Sequence, residues 1–176
     1  YGENENINRA VQVLEHAKRE ALATQDKTTL IGYEGMASNA YFEVLPVLIL
    51  NQKADFPFHG RNRRPPKDAV NAMLSFAYTL IANDTSAALE TVGLDPYVGF
   101  LHTLRPGRTS LALDMMEELR AYLGDRFVLS LINKRQITSK VFLFQGDNGV
   151  VMTDKGKKTF ISAWQARKRE VIIHPY

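Results

Sequence analysis

The chain has 176 residues, no cysteine and a formal net charge of +3 at pH 7; hydrophobic residues make up 45% of it and charged residues 23%. This length predicts one domain with a substantial core, and the lack of cysteine excludes disulfides, zinc–thiolate sites and thiol nucleophiles. All apolar runs are shorter than the roughly 18 residues that a membrane span needs, so no membrane association is expected. The composition agrees with a protein of the reducing cytoplasm.

The first half of the chain is predicted to be helical on both sides of a loop. Apolar spacing over residues 4–23 is typical of one face of an amphipathic helix. A second helix is expected after Gly35, and Pro46 should end or kink it. Residues 51–66 are rich in proline, arginine, asparagine and glycine, which indicates a loop. The next helix is expected over residues 68–81.

The second half is predicted to hold shorter helices and one hairpin. A short helix should be capped within residues 84–86 and stop at Gly93, and Ser110 is a favourable N-cap for a helix that Gly124 would close. A helix, a hairpin turn and a last helix are then expected over residues 126–133, 146–149 and 154–172. The predicted fold is mainly α, a single helical domain over residues 1–176 with six or seven helices and one small β-hairpin.

Two carboxylates stand off the apolar stripe of the helix that begins at Ser110. Asp114 and Glu117 are three residues apart and so occupy neighbouring positions on one surface, where a cation would relieve their repulsion. A solvated acidic face, to which Glu118 would add, explains the same spacing. His102 precedes them among apolar neighbours, which suits a metal ligand or an internal, hydrogen-bonded histidine.

A third acidic residue, Glu34, lies between Gly32 and Gly35. The glycines indicate a close backbone approach at this carboxylate, and a capping or surface role is the alternative. Oxygen ligands with one imidazole suit Mg²⁺ or Mn²⁺ better than zinc, and such an ion can polarise a phosphoryl oxygen. The sequence contains no P-loop, dinucleotide-binding or zincin motif, so those enzyme classes lack support.

The segment Tyr33–Phe42 resembles the E-G-x-A-x-x-x-Y-F motif of the CRISPR adaptation integrases, the Cas nucleases that insert new spacers into the repeat array. Residues 60–78 are similar to the next block of that family, and residues 95–120 to its third. Residues 130–133 and the predicted hairpin continue the match. Each block is modestly specific, but their order along most of the chain is highly specific.

The resemblance implies that Glu34, His102 and Glu117 bind Mg²⁺ or Mn²⁺ and that Asp114 supports them as a fourth catalytic residue. It implies that a DNA 3′-hydroxyl attacks a phosphodiester, with protospacer and repeat DNA as partners. It also implies a small ferredoxin-like Cas partner and a homodimer of the full-length protein. The family has an N-terminal β-rich dimerisation domain and a further C-terminal helical segment, so the chain is expected to be the catalytic domain without either.

A group of arginines provides candidate contacts to DNA phosphates, with ordinary surface charge as the alternative. Arg120 falls where the resembled family tends to carry a basic residue. Two other functions fit the sequence: a non-catalytic helical module that binds nucleic acid in a salt-dependent way without metal, and a structural domain that binds protein. The candidate phosphate contacts are Arg61, Arg63, Arg64, Arg105, Arg108 and Arg120.

Overall fold

The structure is a computed structural model that describes residues 4–171. Six α-helices and one antiparallel hairpin form within these residues, which confirms the predicted mainly α class. None of these helices is long and apolar enough to cross a membrane. In chain order the elements are α1 (Glu5–Ala23), α2 (Lys27–Leu48), α3 (Ala69–Thr91), α4 (Ser110–Leu119), α5 (Arg126–Asn133), β1 (Phe142–Phe144), β2 (Val150–Met152) and α6 (Asp154–Arg167).

Helices α2 and α3 begin at aspartates that satisfy backbone N–H groups left unpaired in a first turn. Asp26 accepts a hydrogen bond from the N–H of Thr29 at 2.7 Å. Asp68 accepts one from the N–H of Asn71, also at 2.7 Å. These caps fix where the two helices on either side of the arginine-rich loop begin.

Helix α3 is the centre of the hydrophobic core. Its residues Met73 and Leu74 are 0% exposed. Phe127 of α5 packs edge-to-face against Phe160 and Trp164 of α6, with ring centroids 5.1 and 5.3 Å apart. Burial of this apolar surface is the main force that holds α3, α5 and α6 together.

Helix α2 begins earlier than the sequence pattern predicts. It starts at Lys27 and includes residues 32–35, and Pro46 lies in its last turn. Within residues 4–171, a Cβ added at Gly32 or Gly35 would meet no heavy atom within 4 Å, so the predicted close backbone approach is wrong for this part of the chain. A glycine costs a helix only about 1 kcal/mol, and the longer helix tolerates both.

Helix α3 is longer than predicted, because it continues without a break to Thr91. The separate short helix capped within residues 84–86 is therefore wrong. Asp84 does not cap a helix but accepts hydrogen bonds from Trp164 Nε1 at 3.1 Å and Lys168 Nζ at 3.0 Å. These partners from the C-terminal part of the chain hold the residue inside α3.

Helix α4 passes into α5 through a π-helical segment, Arg120–Asp125, and not through a break. The predicted stop at Gly124 is wrong because this glycine lies within the segment. A Cβ there would be 3.0 Å from Ile81 Cδ1 and 3.2 Å from Tyr78 Cε1, so the glycine permits close packing on α3. Ser110 is the first residue of α4 and not its N-cap, and the residue before it makes no capping hydrogen bond.

The predicted hairpin is confirmed, with its turn within residues 146–149. The N–H of Val150 donates to the carbonyl of Pro66 at 2.8 Å, which ties the hairpin to the loop before α3. That loop contains neither helix nor strand, as predicted. Helix α6 ends at Arg167 and residues 168–171 are not helical, so the predicted continuation towards residue 172 is wrong; residue 172 itself lies outside the described residues.

Candidate metal centre

The carboxylate of Asp114, buried on α4, organises the segment that precedes this helix. Its Oδ2 accepts hydrogen bonds from the N–H groups of Phe100 at 2.6 Å and Leu101 at 2.8 Å, and its Oδ1 accepts one from the N–H of His102 at 2.8 Å. A Cβ at Gly99 would lie 2.7 Å from Oδ2, so the glycine allows the chain to wrap this closely around the carboxylate. One side chain of α4 thus holds the irregular segment in place.

The same carboxylate orients the imidazole of His102. Nδ1 of the ring lies 2.6 Å from Asp114 Oδ1, and the Asp114 side chain is 0% exposed while that of His102 is 27% exposed. Burial alone would raise the pKa of Asp114, but hydrogen bonds from Leu101, His102 and Phe100 hold that pKa below its usual range. The carboxylate can only accept, so Nδ1–H is the donor, and in a neutral imidazole the lone pair is then on Nε2. Buried carboxylates orient metal-binding histidines in this way.

Glu117 lies one turn beyond Asp114 on α4 but in a different environment. Its side chain is 32% exposed and forms a salt bridge with Nη1 of Arg120. Asp114 is internal, so a solvated acidic face is the wrong interpretation for that residue. Of the two carboxylates, only that of Glu117 is accessible from solvent.

Glu34 is exposed on α2, whose start lies beside the segment that carries His102. Lys27 donates from Nζ to the carbonyl of Phe100 at 3.2 Å and makes this connection. Glu34 follows Lys27 by seven residues, about two helical turns, and so lies on the same face of α2. Asp26 provides the N-cap of this helix, so Glu34 does not.

The predicted ligands lie on α2, on the segment before α4 and on α4 itself. Within residues 4–171, no three carboxylate, imidazole or thiol side chains stand close enough together to hold a metal ion. The structure joins His102 to Asp114 and places Glu117 one turn away, but it does not bring Glu34, His102 and Glu117 into one coordination sphere.

The arginines predicted to contact DNA divide into internal and external side chains. Arg61 donates to Asn71 Oδ1 at 2.8 Å and to Ser75 Oγ at 3.1 Å, and burial lowers its pKa. Arg120 is only 14% exposed and is bound to Glu117. The remaining four are exposed or half-exposed: Arg63, Arg64, Arg105 and Arg108.

Comparison with known proteins places the chain in a family. The family model described as CRISPR associated protein Cas1 matches residues 1–166. The chain belongs to the Cas1 family. It is 49% identical over 174 residues to CRISPR-associated endonuclease Cas1 1 of Chlorobaculum tepidum. The aligned region covers 99% of this chain and 51% of that protein. The resemblance to the adaptation integrases is thereby confirmed.

Solved structures share the Cas1 fold of this chain. A CAS1 protein from Thermotoga maritima matches with a TM-score of 0.78 and 32% identity, over 86% of this chain and 48% of that one. A chain of a partial Cas6-RT-Cas1–Cas2 complex matches with a TM-score of 0.85 and 25% identity, over 94% of this chain and 50% of that one. The chain spans about half the length of the relatives that it matches.

A buried tyrosine–aspartate pair in this Cas1 chain was not predicted from the sequence. The hydroxyl of Tyr78 on α3 donates to Asp125 Oδ1 at 2.5 Å, and Asp125 is 2% exposed. Burial and the charge of Asp125 raise the pKa of Tyr78. The sequence signal that could have indicated this pair is the position of the Asp125 carboxylate, close to the apolar residues 127–129. These residues are buried, and a solvated charge is not expected beside them.

Proposed function

We propose that residues 1–176 form the helical catalytic domain of a metal-dependent DNA endonuclease and integrase that cuts and joins DNA during CRISPR spacer acquisition. The observation that carries this proposal is the His102–Asp114 pair. A buried carboxylate that fixes one imidazole nitrogen prepares the other for a metal ion. The relative from Chlorobaculum tepidum bears the name CRISPR-associated endonuclease, which supports an enzyme of this class.

The donor groups fit Mg²⁺ or Mn²⁺. His102 offers one nitrogen, and Glu34 and Glu117 offer hard carboxylate oxygens, a set that suits these ions in a chain without thiols. Both glutamates occupy exposed or half-exposed positions, where the side chains can change rotamer, and the proposal requires that their oxygens reach an ion at His102. When bound, the ion polarises a phosphoryl oxygen and stabilises the charge of the leaving oxygen.

The residues of this chain then have separate tasks. Glu34, His102 and Glu117 hold the ion, and Asp114 keeps the imidazole of His102 in the required tautomer. The exposed arginines provide positive charge that positions the DNA backbone without reading its sequence. The phosphate contacts proposed are Arg63, Arg64, Arg105 and Arg108, whereas Arg61 and Arg120 are bound to other side chains of the chain.

The proposed substrates are protospacer DNA and the repeat. A 3′-hydroxyl of the protospacer attacks a phosphodiester of the repeat; a new phosphodiester forms, and the 3′-oxygen of the cut repeat strand leaves. The proposal also includes a cytoplasmic homodimer of the full-length protein and a small ferredoxin-like Cas partner. The similarity to a chain of a Cas6-RT-Cas1–Cas2 complex supports a Cas partner.

A non-catalytic helical module that binds nucleic acid is the second candidate function. It is favoured by the exposed arginines and by the lack of a finished metal site within residues 4–171. Such a module would bind DNA through its phosphates, with an affinity that falls as salt rises and that needs no metal.

Calorimetric titration of Mn²⁺ in the presence of a short DNA duplex separates the two candidates. Glu117→Ala should weaken Mn²⁺ binding at least about tenfold, since substitution of residues that only orient metal ligands already lowers metal affinity by this factor. Glu118→Ala, at the next and exposed position of α4, is the matched control and should bind Mn²⁺ like the parent. Equal Mn²⁺ affinity of both variants, or a folded, DNA-bound parent that takes up no Mn²⁺, would favour the non-catalytic module.

A further inference from the structure

Arg120 lies between a proposed metal ligand and an aromatic ring. Its Nη1 is bound to Glu117 Oε2, and its Cζ lies 4.5 Å from the centre of the Tyr78 ring. Only 14% of its side chain is exposed. A guanidinium over an aromatic face is attracted to it, so two groups hold this cation at once.

The π-helical segment places an anion behind the same ring. Arg120 is the first residue of this segment and Asp125 the last, and Asp125 accepts the hydroxyl hydrogen bond of Tyr78 at 2.5 Å. Burial raises the pKa of Asp125, whereas the hydroxyl of Tyr78 and the nearby charge of Arg120 act in the opposite direction and favour the carboxylate, although no hydrogen bond joins Arg120 to Asp125. π-Helical segments of this kind recur at functional sites, because they turn side chains to positions that a regular α-helix does not offer.

The salt bridge has a direct consequence for the proposed metal site. Arg120 holds Oε2 of Glu117, so this oxygen can bind a divalent ion only if Arg120 releases it, since two cations compete for one carboxylate oxygen. A half-buried guanidinium without a counterion would be costly. The Tyr78 ring and the Asp125 carboxylate already interact with the guanidinium, so they can retain it after its release from Glu117.

We propose that Arg120 is a built-in counterion of Glu117 that is displaced when a divalent cation binds, and that Tyr78 and Asp125 retain it beside the site. This inference rests on the proposed function, because it requires Glu117 to be a metal ligand. It makes Tyr78 and Asp125 positioning residues that act through Arg120 and not through the metal ion.

The test is calorimetric titration of Mn²⁺ into the chain with a short DNA duplex at neutral pH. Arg120→Gln should tighten Mn²⁺ binding about threefold to tenfold, the range expected when a partly buried competing ion pair is removed. Arg126→Gln is the matched control: Arg126 stacks on Tyr122 at 4.9 Å and should leave the affinity unchanged. Arg120→Met, which also removes the charge and keeps a long side chain on Tyr78, serves if the glutamine variant does not fold.

A double-mutant cycle tests the role of Asp125. Asp125→Asn should weaken Mn²⁺ binding in the parent, because Arg120 then stays on Glu117, and should lose most of this effect in the Arg120→Gln background. Unchanged or weaker binding in Arg120→Gln, or an equal effect of Asp125→Asn in both backgrounds, would overturn the inference while the metal site stands. A folded parent that binds no Mn²⁺ overturns the proposed function together with it.

Discussion

The residue on which the candidate site depends most is Asp114. Its two carboxylate oxygens accept four hydrogen bonds, three from backbone N–H groups and one from the His102 ring. Hydrogen bonds to a charged acceptor are among the stronger ones, and a change at residue 114 would leave buried donors unpaired. The orientation of His102 therefore depends on a full carboxylate at this position.

Asp114→Asn keeps the shape of the side chain but replaces one acceptor oxygen by an N–H₂ donor. Because this group would face N–H donors, we expect a loss of about 1–3 kcal/mol in the free energy of unfolding. We also expect Mn²⁺ affinity to fall about 10- to 100-fold, as for other groups that orient metal-binding histidines. Urea unfolding and calorimetry measure the two effects.

The matched control for this change is Asp95→Asn. Asp95 is exposed and accepts one hydrogen bond, from the N–H of Tyr97 at 2.9 Å, so its replacement should cost no more than about 0.5 kcal/mol. If Asp114→Asn matched this control in both measurements, Asp114 would not orient His102.

The sequence indicated His102 and Asp114 as candidates but not the contact between them. The spacing of three residues does not distinguish the environment of Asp114 from that of Glu117, because it places both on one surface of a helix. Burial separates them, and it arises when the segment before α4 folds over that helix. No local pattern encodes this tertiary contact, although Gly99 is needed for it.

At the scale of elements, the sequence predicted best what depends on local chemistry. The cap at Asp68 placed the start of α3 correctly, and the turn of the hairpin was located from its glycines. The predicted helix stop at Gly124 and helix cap at Asp84 were wrong because each residue has a partner that is distant in sequence. Gly124 packs against α3, and Asp84 accepts a hydrogen bond from Trp164. Tertiary contacts override such local helix signals.

The contact between hairpin and loop gives a prediction at this scale. Gly149 has φ +79° and ψ −152°, a conformation that is essentially confined to glycine, and a Cβ there would lie 2.3 Å from the carbonyl oxygen of Pro66. We expect Gly149→Ala to lower the free energy of unfolding by about 2–4 kcal/mol, from backbone strain and loss of this contact.

Urea unfolding measures this loss against a glycine of the same turn. Gly146 also has a positive φ, +56°, but a Cβ there meets no heavy atom of the described residues within 4 Å. Gly146→Ala should therefore cost only about 1 kcal/mol, the strain of the left-handed conformation alone. Equal losses in the two variants would show that the hairpin does not depend on its contact with Pro66.

At the scale of the whole molecule, the proposed ligands come from elements that are distant in sequence. Glu34 lies on α2, His102 on the segment before α4 and Glu117 on α4. Spacing alone could not assemble residues so far apart, and it was the resemblance of the ordered sequence blocks to the adaptation integrases that implied them as a set. The core around α3 holds α4 and α5 in place, but the convergence of Glu34 with the other ligands remains a prediction.

Coordination of the metal ion by His102 decides the proposed function most directly. Pulsed electron paramagnetic resonance of Mn²⁺, bound to the chain with a short DNA duplex, detects an imidazole nitrogen coordinated to the ion. We predict a nitrogen coupling that is lost in His102→Gln and kept in His59→Gln, a change at an exposed histidine of the loop before α3. Bound Mn²⁺ without a nitrogen coupling, or a coupling that survives His102→Gln, would contradict the proposed metal centre.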